Sequence, residues 1–513
     1  MTTTNRTPSD FLPSPAWRIA DLGRPLPDDP HAVSVCLPTW QANVGYEEGD
    51  PAVTGAMRCG YPRFFLHPTV LRLFAAAESR FAREGECCFV LPSQRVAERC
   101  AAFVERHAQV PSRVDSWLGG LAVVTLPAAA RTWAKNFWQH AGEIVSSRRA
   151  ASTLTEIEGG SPPASSRQDA QTKCTIRERI ANAVGCHSDD VFLFPSGMAA
   201  TFAAFRALQR LRPGRRSVQF GFPYVDNLKV LERFGTVGAG VEASQAVQFY
   251  PHGAAAEIDR LASLVADEEL LGLFCEFPGN PLLRTLDLRR VRDLADRHKF
   301  PVLVDDTLGT FVNVDVLPAA DVLVSSLTKY FSGAGDVMGG SLVLNRQRPF
   351  YAGLRAALLD EFEDLLWFED AVVLERNSRD FVQRVQRINQ TAEQLCHWLR
   401  QHPAVGSVYY PQFETPENYR AFLRPGGGYG GLFSIVLREP HRAPAVFDAL
   451  QISKGPNLGC NFTLCCPFTL LAHYQELEFA ERCGISRYLL RVAVGLEEPE
   501  WLIEQFSRAL AVA

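Results

Sequence analysis

The chain has 513 residues, 47% hydrophobic and 21% charged, with a formal net charge of −5. That length exceeds one ordinary domain, and the composition is that of a globular protein with a large core. The small acidic balance offers no general attraction to nucleic acid or an anionic membrane. The longest apolar run, Trp117 to Ala130, is interrupted by Pro127 and falls short of the roughly 18 residues of a membrane span. The opening residues lack the apolar core of a secretory signal, so a cytoplasmic location is expected. Thirteen scattered cysteines without a Cys-x-x-Cys pair point to small buried hydrophobes in a reducing compartment, not to disulfides or zinc.

Residues 1–30 are polar and proline-rich and read as a loosely held arm. Ala32–Leu37 alternates like a strand and Pro38–Gly49 reads as a loop. Gly60–Phe65 leads into a predicted helix over His67–Arg83; Cys88–Ser93 and Ala97–His107 then read as strand, loop and helix. Tyr46, Tyr61 and Arg63 are read as structural packing rather than substrate contacts. The Ser, Gly and Pro content of 151–172 predicts a mobile connection. Val191–Phe194 is strand-like, and Met198, Phe202, Phe205 and Leu208 follow at helical spacing. Such a junction at Ser196–Met198 offers backbone N–H groups and the positive end of a helix dipole to an anion, or else is an ordinary N-cap at Ser196.

The richest stretch lies between 270 and 335. Leu271–Glu276 reads as a strand, followed by the loop Phe277–Pro281 and a helix capped by Asp287 with Leu288, Val291, Leu294 and Ala295 on one face. Pro301–Val304 then ends in Asp305-Asp306-Thr307, and Asp321–Val324 ends in the stretch Ser325–Gly333. Strand, helix, strand, connection, strand implies parallel strands whose carboxyl ends open on one rim, where open α/β sheets bind ligands. That rim collects Glu276, Asn280, Asp305, Thr307, Ser326, Thr328 and Lys329. A lysine reacts as a free amine when burial or a nearby cation lowers its pKa. Ser326 and Thr328, two apart, would face the same way in extended chain and both donate to one phosphate. A Schiff-base lysine, a carboxylate for a pyridinium nitrogen and hydroxyls for a phosphate describe pyridoxal 5'-phosphate. Beyond it, a long helix is predicted from Phe381 to about Gln401, Gly426–Gly431 reads as a flexible rim loop, and Leu432–Val436 as a strand.

Ser196–Ala200, Glu276–Pro281, Val304–Thr307, Ser326–Lys329 and Leu490–Glu497, in that order, resemble the cystathionine gamma-synthase group of the Cys/Met-metabolism pyridoxal-phosphate enzymes. Leu37–Gln41 and Asn43–Gly49 resemble the N-terminal extension of its longer, fungal-type members. The resemblance implies an α/β, type I aminotransferase-like fold. It divides into an N-terminal extension (1–172), a large cofactor domain with a mostly parallel sheet (173–380) and a smaller C-terminal α/β domain (381–513). It further implies that Lys329 carries the cofactor, Asp305 meets its ring nitrogen, Tyr224 covers its ring, and Gly197, Met198, Ser326 and Thr328 hold its phosphate, with Thr307 beside them. Arg491, with Asn457 and Asn280, would take the substrate carboxylate; Asn457 and neighbouring Cys460 depart from the family loop, which usually has serine at 457. The family's inter-subunit Tyr-x-Arg is not found in 151–172, and neither Arg167 nor Lys173 is assigned its role. The implied activity is γ-replacement on an O-activated homoserine, with cysteine giving cystathionine, in a homodimer or homotetramer. Another sulfur or carbon nucleophile, or γ-elimination, is the alternative. A non-catalytic binding homologue is a third reading, against which Lys329, Asp305 and Arg491 all argue.

Overall fold

The structure is a computed structural model and describes residues 14–161, 167–235 and 245–513. Three sheets organise it. Strands β1 (Glu86–Leu91), β2 (Arg113–Ser116) and β3 (Ala122–Pro127) form a small antiparallel sheet in the order β1-β3-β2. The central sheet has seven strands: β4 (Val191–Phe194), β5 (Arg216–Phe220), β6 (Val247–Tyr250), β7 (Leu270–Glu276), β8 (Val302–Asp305), β9 (Val322–Ser326) and β10 (Gly340–Leu344). Their order is β4-β10-β9-β8-β7-β5-β6, parallel from β9 to β6, with β10 antiparallel to both neighbours. The C-terminal sheet contains β11 (Val405–Tyr409), β12 (Leu432–Leu437), β13 (Ser453–Lys454), β14 (Leu464–Pro467) and β15 (Leu490–Ala493), in the order β11-β12-β15-β14-β13.

β7, β8 and β9 are buried strands rich in Leu and Val, as parallel strands covered on both faces must be. The crossover helix Leu288–His298 begins where Asp287 accepts from the Arg290 amide (3.1 Å) and buries Leu288, Val291, Leu294 and Ala295. Each buried leucine or valine contributes roughly 1.5–3 kcal/mol of transfer free energy. One face of the central sheet shares a core with the small sheet: Phe205, Phe274, Leu303 and Val324 cluster with Val90, Phe103 and Phe137. The opposite face packs against the crossover helices, around Leu273, Val291, Val304 and Leu323. The helix Phe381–Gln401 leads to the C-terminal sheet, whose core includes Ile388, Leu395, Phe433 and Val492.

Several expectations change. The arm assigned to 1–30 lies outside the described residues up to 13, but from residue 14 it is fastened: the Ala16 amide donates to Ser453 Oγ (3.2 Å) and Leu26 to Ser34 O (2.9 Å). Ala32–Leu37 joins no sheet beyond an isolated Pro25–Val35 bridge, because its amides go elsewhere, Val33 to Gly335 O and Leu37 to Lys454 O. Trp40–Glu48 is a helix rather than a loop; Thr39 caps it by accepting from the Ala42 amide, and Gly49 at φ +73° ends it. The connection expected over 151–172 is largely taken up by the helices Ser147–Ile157 and Arg167–Val184, although 162–166 lie outside the described residues. The Gly426–Gly431 loop is pinned, its Gly428 and Gly430 amides donating to Asn313 and Asn389 side chains (3.0 Å each). Among the described residues no helix is long and apolar enough to cross a membrane, no group of metal-ligating side chains converges, and all thirteen cysteines are unpaired.

Candidate active site

The carboxyl ends of β7, β8 and β9 open into a cavity of about 160 Å³, room for a multi-atom ligand rather than one or two waters. Register fixes its floor: Glu276 pairs with Asp305, and Asp305 with Val324. Lys329 stands three residues past β9, its carbonyl accepting from the Gly333 amide (2.8 Å). Its Nζ lies 4.3 Å from the centre of the Tyr61 ring and donates to Asn457 Oδ1. Burial pulls the lysine pKa below its ordinary value, against the opposing influence of Tyr61. Gly459, at φ +70°, brings the 454–461 loop against the lysine; a Cβ there would meet the Tyr330 nitrogen at 2.6 Å.

Buried Glu276 and half-buried Asp305 stand side by side. Burial raises both, Glu276 to about 8 with Asp305 adding to the effect. Asp305 Oδ1 accepts from the Thr307 amide (2.8 Å). Glu276 organises its surroundings, accepting from the Tyr224 amide (2.5 Å), Asn227 Nδ2 (3.0 Å) and the Asn280 amide (3.2 Å). Asp306 turns the other way, to the Phe311 amide (3.0 Å), and does not line the cavity.

Gly197 and Met198 open the helix Gly197–Leu211, with Ser196 as N-cap accepting from the Ala199 amide (3.0 Å). Gly197 lies against Ser326 so closely that a Cβ would meet the Ser326 Cβ at 2.8 Å. The Ser326 hydroxyl lines this corner, buried and without a hydrogen-bond partner, while its amide donates to Thr307 Oγ1 (2.8 Å). Thr328 departs from expectation. The strand ends at Ser326, so the two-residue alternation does not carry to 328. Its hydroxyl closes instead on Gly339, donating to the carbonyl (3.3 Å) and accepting from the amide (3.1 Å).

Arg491, on β15 between Ser434 and Cys466, is 5% exposed. It donates to Pro456 O (2.7 Å) and Asn280 Oδ1 (3.4 Å), with its guanidinium 4.7 Å from the Phe468 ring centre. It makes no ion pair among the described residues, so a buried cation faces the cavity without an anion. Asn457, expected beside it, turns away: its oxygen goes to Lys329 and its nitrogen to Cys460 Sγ (3.6 Å). The half-buried Lys329 amine draws the amide oxygen, and the Pro456 carbonyl meets Arg491 instead.

The N-terminal segment supplies the opposite wall. Arg63, 2% exposed, donates to Asp226 Oδ2, Gln139 O and Tyr224 Oη, each at 2.5 Å. Burial works against its charge, but Tyr224 and Asp226 hold its pKa above the ordinary guanidinium value. Asp226 also accepts from Gln139 (3.0 Å) and pairs with His140 Nδ1 (2.8 Å). Tyr61 lies beside Lys329 and Arg63, whose charges lower its phenol pKa although burial alone would raise it. Tyr46, Tyr61 and Arg63, read from sequence as packing, thus all line the cavity. Tyr61-Pro62-Arg63 is itself a Tyr-x-Arg, and it lies outside 151–172, where that pair is expected. Lys173 instead pairs with Asp364 (2.7 Å), and the Arg167 side chain lies outside the described residues.

These groups fit pyridoxal phosphate. The orphaned Ser326 hydroxyl and the glycine-lined helix start form a phosphate cradle, Asp305 is a half-buried carboxylate with no ion pair among the described residues, and Lys329 is an amine of lowered pKa.

Residues 152–511 match the family described as Cys/Met metabolism PLP-dependent enzyme, and residues 69–146 match the fungal trans-sulfuration enzyme N-terminal domain. The chain is 38% identical to the cystathionine gamma-synthase of Neurospora crassa, over 96% of this chain and 98% of that one. It is 34% identical to an L-2-amino-4-chloropent-4-enoate dechlorinase/desaturase of Streptantibioticus cattleyicolor, over 95% and 97% of the two. Among solved structures it is similar to a methionine gamma lyase from Micromonospora echinospora (TM-score 0.55, 28% identity, 66% of this chain and 86% of that one).

Proposed function

The chain belongs to the Cys/Met metabolism pyridoxal-phosphate-dependent enzymes, and on that premise we propose that it is a transferase replacing the γ-substituent of an O-activated homoserine with cysteine, giving cystathionine. The observation that carries this reading is that one cavity holds both the amine of Lys329 and an unpaired, buried Arg491.

Bound pyridoxal phosphate supplies an electron sink for charge developing at the substrate Cα. The Gly197 and Met198 amides and the Ser326 hydroxyl hold its phosphate, with Thr307 fixing Ser326. Asp305 keeps the ring nitrogen protonated, and Tyr224 covers the ring. Tyr61 and Arg63 bring to this site, from the same chain, the Tyr-x-Arg that the family takes from a neighbouring subunit. Arg491 receives the α-carboxylate, oriented by Asn280. Lys329 Nζ takes a proton from Cα, gives that proton up again, and as a free amine takes one from Cβ, a task suited to an amine of lowered pKa. The division at 172 and 380, a cytoplasmic location and a homodimer or homotetramer belong to the same proposal.

Incubation with acyl- or phosphohomoserine and cysteine, followed by mass spectrometry, tests it: cystathionine is expected, and its absence with every activated homoserine overturns the reading. Asn457 and Cys460 beside Lys329 favour a second reading, γ-substitution with another sulfur or carbon nucleophile or γ-elimination. Asn457→Ser should then shift nucleophile preference by roughly ten- to a hundredfold.

A further inference from the structure

One carboxylate in the cavity has no partner. Glu276 is held by two amides and Asn227, and Asp305 by the Thr307 amide. Glu47, in the last turn of the helix Trp40–Glu48, also lines the cavity yet makes no hydrogen bond or ion pair among the described residues. Its neighbour Glu48 points elsewhere and accepts from Tyr474 Oη (2.5 Å), fastening the helix beside Phe468–His473. The cavity that Glu47 lines has a largely apolar wall, with Leu37, Tyr46, Phe64 and Leu471 among its side chains.

Two physical effects make that position unfavourable for an anion. Burial pushes the Glu47 carboxyl up to about 7, with only the exposed Lys135 acting against it. The carboxylate also stands at the negative end of its own helix dipole. Both effects favour a cation arriving from the cavity. The cavity's own cations are committed, Arg63 to Asp226 and Tyr224, and Lys329 to Asn457. Arg491, meanwhile, is suited to the carboxylate of the first substrate.

We propose that Glu47 binds the α-ammonium group of the incoming nucleophile, making the enzyme selective for an amino-acid thiol over a thiol that lacks the amine. The inference rests on the γ-replacement reading. It adds what that reading leaves open, the feature of the second substrate that this wall recognises.

The test uses the holoenzyme with an O-activated homoserine and two thiols, cysteine and its amine-free counterpart 3-mercaptopropionate. Losing a charge-assisted contact in a partly buried site, Glu47→Gln should raise KM for cysteine about 30-fold and move KM for 3-mercaptopropionate less than about twofold. KM for the homoserine substrate and the cofactor absorbance should stay as in the parent enzyme. Retained turnover of 3-mercaptopropionate shows that the variant is folded, and Glu47→Asp should recover part of the cysteine affinity. Equal losses with both thiols, as expected if Glu47 were a base for the thiol, would overturn the inference, and so would no change with either. A parent enzyme that forms a thioether with neither thiol would overturn the γ-replacement reading itself.

Discussion

The two walls of the cavity hold their side chains by different means. On the sheet side, Glu276, Asp305 and Ser326 are placed by main-chain register at the ends of neighbouring parallel strands. On the N-terminal side, Tyr61 and Arg63 belong to no helix or strand, and a buried network of Asp226, His140, Gln139 and Tyr224 sets their position. A strand end tolerates loss of one side chain without moving the others. A network built around one buried guanidinium does not, because each partner loses its own compensation when the charge goes.

Changes at five residues break or sharpen that contrast. Lys329→Ala should lower turnover by at least about 10³-fold while the protein stays folded, since the ladder beneath it is untouched. Borohydride treatment of the parent enzyme should fix the cofactor on the Lys329 peptide, and a label on another lysine would remove this residue from its role. Asp305→Asn should slow turnover about 10²- to 10³-fold at unchanged melting temperature. Asp306→Asn should do the reverse, lowering the melting temperature with little effect on kcat, because its carboxylate serves Phe311.

Arg63→Ala should act on both properties at once. It strands Asp226 in the interior, a loss of about 3–5 kcal/mol by thermal or urea unfolding, and loosens cofactor binding. Arg63→Lys should recover part of the stability but not the three-way contact, for lack of the planar fork. If Arg63→Ala melted like the parent, the N-terminal wall would be ordinary packing after all. The smallest effect is expected of Thr328→Ala, about 1 kcal/mol of stability from its contacts with Gly339 and no measurable change in cofactor affinity.

The same contrast governs what could be read from sequence. Asp305 and Lys329 were legible because apolar runs ending in polar residues mark the rim of a parallel sheet. The helix Phe381–Gln401 matches its expected bounds for a similar reason, a sustained apolar periodicity. Trp40–Glu48 was not legible as a helix: it buries Ala42, Asn43 and Gly45, which make no apolar stripe. The roles of Tyr61 and Arg63 are not legible because their partners, Lys329 for Tyr61 and Asp226 for Arg63, are distant in sequence, the latter by 163 residues, beyond any local pattern. Thr328 misled because the alternation of a strand was extended two residues past its end.

The fastening of residues 16–37 to the C-terminal sheet has a consequence for how the protein is made. Ala16 meets Ser453, 437 residues later, and Leu37 meets Lys454. At about 5–20 residues per second on the ribosome, the early segment waits roughly 20–90 s for the strand it will lie against. Throughout that interval the Ala16 and Leu37 amides lack these partners, and a holdase chaperone can occupy the waiting segment. Leu37 and Val35 also line the cavity, so its enclosure waits on synthesis of Lys454 and of Arg491, which lines it as well. An enclosed cofactor site therefore forms only after the C-terminal sheet has been made.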